Sequence, residues 1–380
     1  MKILHAYNKH RGGGGADNAP LATIAASREH GLEVEVFTRD SESLPSNLAG
    51  RFRAATSAFH APESVAAFTN LLDSFQPDVV HLHEVFPLVS PWILPVCSER
   101  GVPVVMTCVD YRLTCPIVTH LRDGAICTSC LGGREYNAVL HNCRENLPES
   151  VVVSLYNSLT RRRAVFRRHV NRFVALSDFS REWFSENGGI EADRINVIAP
   201  AIEIPPSPVD PATGDYVAFA GRFSIEKGIH TLGEAARLSG LPFRMARNER
   251  NLVTIDMPSE VEAVVTRDRD DLATFYRGAR MLVFPSIWFE TFGIVGAEAM
   301  SHGVPVVASR IGALANLVED GVDGLLFDPG DSRDLADKVT RLWNDPELCR
   351  RLGQAARTKA EHEWNPRRHF ERHLDLYREL

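Results

Sequence analysis

Short runs of apolar residues recur along the chain, separated by stretches in which apolar positions return every three or four residues. In the first half, 2–6, 33–38, 78–82 (DVVHL), 102–107 (VPVVMT), 173–176 and 195–198 read as buried strands. In the second half the same reading falls on 216–220, 281–284, 304–308 and 324–327. Helical spacing predicts helices over 20–30, 85–99, 229–239, 275–280, 293–301, 331–343, 347–361 and 366–380. Apolar strands alternating with helices imply parallel strands covered on both faces, a doubly wound α/β class. The stretch 199–215 carries Pro200, Pro205, Pro206, Pro208 and Pro211 and reads as a linker, after which the pattern starts again.

The string MLVFPSIWFETFGIVGAEAMSHGVPVVAS, residues 281–309, reads as strand, loop, helix, strand, a right-handed βαβ unit. Glu290 lies in its loop and Glu298 in its helix, with seven residues between them. The amides near Phe292, Gly293 and Ile294 open that helix, where unpaired N–H groups favour an anion. Carboxylates take pairs of hydroxyls and amides take phosphate, so a sugar nucleotide suits both. Earlier, GRFSIEKG (221–228) sets Arg222 and Lys227 at a strand's carboxyl end just before a helix. Each charge alone reads as a solvated surface residue; together the pair neutralises a diphosphate. Gly12–Gly15 follow the first strand, so Gly13 and Gly14 form either a turn or a loop that lets a ligand approach. Asp17 breaks the dinucleotide fingerprint there, which argues against a nicotinamide cofactor.

A length of 380 residues suits two to three domains, and 44% hydrophobic with 24% charged residues is ordinary for globular chains. The net charge of −7 gives no indication of nucleic-acid binding. With neither a long apolar run nor a signal-peptide pattern, a cytoplasmic protein is expected. Its cysteines are then thiols or metal ligands before they are disulfides. Cys115, Cys127, Cys130 and Cys143 lie in a segment with little helix or strand signal. One Cys-x-x-Cys flanked by single cysteines is open to structural zinc, to free thiols and to disulfides. Residues 161–172, RRRAVFRRHVNR, run from Arg161 to Arg172 with six arginines. They read as a solvated helix with one apolar stripe, or as peripheral contact with an anionic membrane where a lipid-linked acceptor would sit.

GRFSIEKG, FPSIWFETFGIVGAEAMSHGVPVVAS and GLLFDPGD together resemble the family-4 retaining glycosyltransferases of the GT-B fold. The likeness spans nearly the whole chain and is strongest over 216–330. It implies two Rossmann-like domains facing a central cleft, with a C-terminal helix crossing back to the first. On that basis 1–202 is an acceptor-side domain with a Cys-rich excursion at 108–143. Residues 203–363 form the donor-nucleotide domain and 364–380 the returning helix. By the same likeness Arg222 and Lys227 bind the diphosphate of a UDP- or GDP-sugar, and Glu298 the nucleotide ribose. Glu290 holds hydroxyls of the transferred sugar with the amides of Phe292, Gly293 and Ile294, while Gly13 and Gly14 face the donor phosphate or the acceptor. The acceptor is a glycan, a lipid-linked sugar or a small molecule, and no metal is needed for catalysis.

Three positions depart from the family pattern. Val109 stands where a histidine usually touches the donor sugar, so either another residue such as His83 or His120 takes over that task or the enzyme is slower or altered in its donor choice. Asn316 replaces a common glutamate, and 245–251 lacks a glycine-rich turn. Two other functions stay open: a sugar-nucleotide epimerase of the same shape, and a catalytically silent nucleotide-sugar binding protein.

Overall fold

The structure, a computed structural model, describes residues 1–9, 15–41, 56–57, 59, 61–247 and 258–380. It divides into two compact units, one of 1–120, 127–199 and 369–380, the other of 121–126 and 200–368.

In the first unit the strands are β1 (Lys2–Lys9), β2 (Glu33–Asp40), β3 (Val79–Leu82) and β4 (Val104–Thr107). The small antiparallel pair β5 (Leu121–Arg122) and β6 (Ala125–Ile126), which is grouped with the second unit, precedes β7 (Arg172–Ala175) and β8 (Ile195–Val197) in the chain. The main sheet is wholly parallel in the order β2-β1-β3-β4-β7-β8. β3 and β4 are buried at every position, as their continuous apolar runs predicted. Residues 369–380 belong to this unit: Tyr377 Oη lies 2.6 Å from His81 Nδ1, and His369 Nε2 lies 3.1 Å from Thr23 Oγ1.

The second unit contains β9 (Tyr216–Ala220), β10 (Phe243–Arg247), β11 (Val261–Val265), β12 (Ala279–Phe284), β13 (Val306–Ser309) and β14 (Gly324–Phe327). All are parallel, in the order β11-β10-β9-β12-β13-β14. The order reverses between β9 and β12, and such switch points are where open α/β sheets bind ligands. The Ile229–Ser239 and Ser332–Asn344 helices pack over one face, burying Leu232, Ala236, Leu335 and Val339 against Val217, Phe219 and Val307.

The chain departs from the sequence reading at several elements. Only Ile93–Glu99 of the expected 85–99 helix forms, because Pro87 and Pro91 lack amide donors and disfavour helix at the residues before them. The helix expected at 275–280 starts earlier, at Arg269, where Asp268 caps the Asp271 amide, and it ends at Gly278. Residues 161–172 are not one helix. Leu147–Arg162 ends there, Ala164 turns left-handed at φ 53°, Val165–His169 makes a short helix, and Arg172 begins β7. Among the described residues no helix is long and apolar enough to cross a membrane.

Candidate functional site

β9 and β12 are hydrogen-bonded neighbours at the switch point, so the loops leaving them meet. Gly228, at φ 72°, closes the 221–228 loop, and a Cβ there would lie 1.8 Å from the Pro285 carbonyl oxygen. The Ile287 amide donates to the Glu226 carbonyl at 3.0 Å. These two contacts lock the loops together and aim Lys227 at Glu290. Lys227 Nζ reaches Glu290 Oε1 at 2.6 Å, and the same oxygen accepts from Ser286 Oγ at 2.7 Å and Trp288 Nε1 at 2.8 Å. The ammonium also lies 5.1 Å from the centre of the Trp288 ring. The Lys227 and Glu290 side chains are 12% and 10% exposed, so this pair is largely removed from water.

Next to the pair, Gly293 stands at φ 110° and starts the Ile294–Ser301 helix. A Cβ there would lie 2.9 Å from a Leu314 methyl, so both the backbone angle and the space require glycine. The first bond of this helix runs from the Gly296 amide to the Gly293 carbonyl at 3.0 Å, so the amides of Gly293, Ile294 and Val295 precede it. Phe292 is buried with its ring perpendicular to that of Trp364.

Not every predicted residue joins this centre. Arg222 is 63% exposed and pairs with Glu226 at 3.4 Å rather than with Glu290. Glu298 accepts a hydrogen bond from Tyr276 Oη at 2.9 Å. Burial pushes its pKa up, against the opposing effects of that hydrogen bond and of Arg269. Gly13 and Gly14 lie outside the described residues. Ser286, Trp288 and Tyr276 escaped the sequence reading. The first two stand four and two residues before Glu290 in the same string, a spacing that offered a signal; Tyr276 offered none.

In the first unit Val109 lines a small cavity with His83, Glu84, Asp110 and Arg112. Arg112 Nε approaches Glu84 Oε2 at 3.3 Å and its guanidinium approaches Asp110 at 3.7 Å. Burial, with the Glu84 charge adding to it, pushes the Asp110 pKa up to about 7. Both histidines considered as replacements for the family histidine are buried. His120 has both nitrogens engaged, by Thr114 Oγ1 at 2.8 Å and the Cys127 carbonyl at 3.0 Å. His83 Nε2 meets His5 Nδ1 at 3.1 Å, and its Nδ1 has no partner among the described residues.

Cys115, Cys127, Cys130 and Cys143 form no disulfide and lie in one patch: the sulfurs of the other three all act on that of Cys130. The Cys115 sulfur receives the amides of His120, Ile117 and Thr119. Among the described residues the one group of three ligating side chains with donor atoms within 4.8 Å of one another is His5, His81 and His83, not the cysteines. Only His81 has both ring nitrogens engaged; His5 and His83 meet through one nitrogen each and leave the other without a partner among the described residues. The His5 and His83 rings lie within 12° of parallel across their short contact, and His81 is flanked by Tyr377 and Thr107.

Two parallel α/β units, one with a cation–carboxylate pair and helix amides at its switch point, define a doubly wound protein of Rossmann type. Residues 14–201 match the family model described as glycosyl transferase 4-like domain, and residues 202–359 match glycosyl transferases group 1. The chain belongs to this glycosyltransferase family. It is 32% identical over 201 residues to a D-inositol 3-phosphate glycosyltransferase of Pseudarthrobacter chlorophenolicus, covering 46% of this chain and 47% of that protein. It is also 32% identical over 158 residues to the sulfoquinovosyl transferase SQD2 of Arabidopsis thaliana, covering 39% of this chain and 30% of that one. The chain thus spans about half or less of the length of these curated relatives. Among solved structures, sucrose-phosphate synthase from Thermosynechococcus elongatus superposes with TM-score 0.72 at 20% identity, over 100% of this chain and 98% of that one. HepE from Anabaena in complex with UDP-glucose superposes with TM-score 0.66 at 19% identity, over the full length of both. These likenesses establish the GT-B fold.

Proposed function

We propose that the chain transfers a hexosyl group from a nucleoside diphosphate sugar to a hydroxyl acceptor, with retention of anomeric configuration. The observation that carries this reading is the Lys227–Glu290 pair, desolvated and held by Ser286 and Trp288 beside the amides of Gly293 and Ile294. Loss of a nucleoside diphosphate builds negative charge on the leaving oxygens. Lys227 and the amides supply fixed positive charge for it, and Arg222, on the exposed rim, adds a cation that can turn inward on binding. Glu290 holds hydroxyl groups of the transferred sugar, and Glu298 takes ribose hydroxyls. The base is uracil or guanine. UDP is favoured because HepE, a structural neighbour, was solved with UDP and with UDP-glucose.

Retention with no added nucleophile implies attack on the face the leaving group departs from, the diphosphate taking the acceptor's proton. For an α-linked donor, proton NMR of the glycoside formed on the acceptor should show the α linkage; a β-linked product would overturn retention. The charge already supplied makes a catalytic divalent ion unnecessary, so excess EDTA should leave the rate unchanged. Zinc at Cys115, Cys127, Cys130 and Cys143 stays a proposal of structural support only. It would have to draw the sulfurs together, and metal analysis giving less than about half an equivalent removes it.

A further inference from the structure

We propose that the outer face of the Leu147–Arg162 helix, with the arginines that follow it, docks the first unit onto an anionic lipid surface. Twelve large apolar side chains are exposed among the described residues, and five of them lie within 136–155. They are Tyr136 at 56%, Leu140 at 71%, Leu147 at 53%, Val151 at 36% and Leu155 at 54%. Leu147, Val151 and Leu155 are spaced four apart and share one helix face, while Val153, Tyr156, Asn157 and Thr160 bury the other. The short Asn137–Leu140 helix packs beside it and adds Leu140 to the exposed patch. Exposed apolar residues scattered singly need no explanation, but a contiguous row does.

Charge identifies the occupant. Arg162 stands seven residues after Leu155 and so continues the same row. Arg162, Arg163, Arg167 and Arg168 are exposed and have no ion-pair partner among the described residues. Arg161 does not contribute, because buried Glu135 holds it. Among the described residues the exposed acids near this end are Glu145, Glu99, which acts on His169, and Glu191, which Arg194 holds at 3.0 Å and Arg167 also attracts, while Glu149 is paired with Arg144 at 3.5 Å. A local basic end on a chain of net charge −7 is a directed field rather than a general one. Two copies meeting through this face would bring like charges together, whereas anionic headgroups beside an apolar layer complement both parts. Binding to vesicles does not depend on the transfer reading. The benefit to an acceptor carried on a lipid does.

The test is flotation of the full chain with vesicles of phosphatidylcholine alone and of phosphatidylcholine mixed with phosphatidylglycerol. Binding to the mixed vesicles alone is expected, weakened by salt. The double variant Leu140→Gln, Leu155→Gln and the double variant Arg162→Gln, Arg168→Gln should each lose on the order of tenfold or more in partitioning. Val322→Gln, at an exposed apolar site of the second unit, should bind as wild type does. UDP titrations on the same samples report folding and donor binding separately. Absence from both vesicle types, or undiminished binding by the leucine variant, overturns the proposal. So does a dimer in sedimentation equilibrium that the leucine variant dissolves, since the face then belongs to a second copy.

Discussion

Lys227 and Glu290 neutralise each other out of water, so each variant has two consequences. Lys227→Ala and Glu290→Gln should each lower donor turnover by about a hundredfold or more with the fold retained. Lys227→Ala should also cost about 1–3 kcal/mol of stability, because Glu290 keeps Ser286 and Trp288 but loses its charge partner. Steady-state rates with a thermal melt check both; wild-type rates would remove the site assignment. Gly228→Ala should be worse for folding than either, above about 3 kcal/mol, since its methyl would meet the Pro285 carbonyl. Asp110 gives a pH signature. Its pKa is raised to about 7 from the ordinary 3.8, so its charge costs stability as pH rises through that window. Asp110→Asn should therefore raise the melting temperature above pH 7, with the gain shrinking toward pH 4.

At the scale of elements, the C-terminal segment is held to the first sheet through buried histidines. His5, His81, His83 and His373 are all pushed well below the usual range, chiefly by burial, and His5 falls to about 3. Kept neutral when folded, they contribute stability that is complete above the unfolded value near 6.5 and lost as pH falls toward 3. Acid melts should show this loss, and His5→Gln and His373→Gln should each make it shallower. The strands that carry these residues were legible because β1 and β3 are continuous apolar runs. β10 and β11 were missed: FRMAR and VEAVV interleave charges, and both strands lie at one side of their sheet. The Leu147–Arg162 helix was missed for a related reason. Its exposed face is as apolar as its buried one, so no clean period shows in the sequence.

For the molecule as a whole, the strand order of the second unit gives the motifs their place. The loop strings and the Glu290–Glu298 spacing could be read from the sequence, and so could the nearness of Lys227 to the crevice. The pairing of Lys227 with Glu290 could not, because it depends on β9 and β12 being neighbours although 58 residues separate the two strands. Nor could the bond from Tyr276 to Glu298, which a third element supplies. On the proposed reading, this switch point binds a nucleoside diphosphate sugar through Lys227. Calorimetric titration of UDP and GDP into the wild type and Lys227→Ala, beside a melt of each, tests it most directly. One nucleotide should bind the wild type and stabilise it by mass action, with about tenfold or greater loss of affinity in the variant. No binding by either nucleotide, or equal binding by both proteins, would contradict the account.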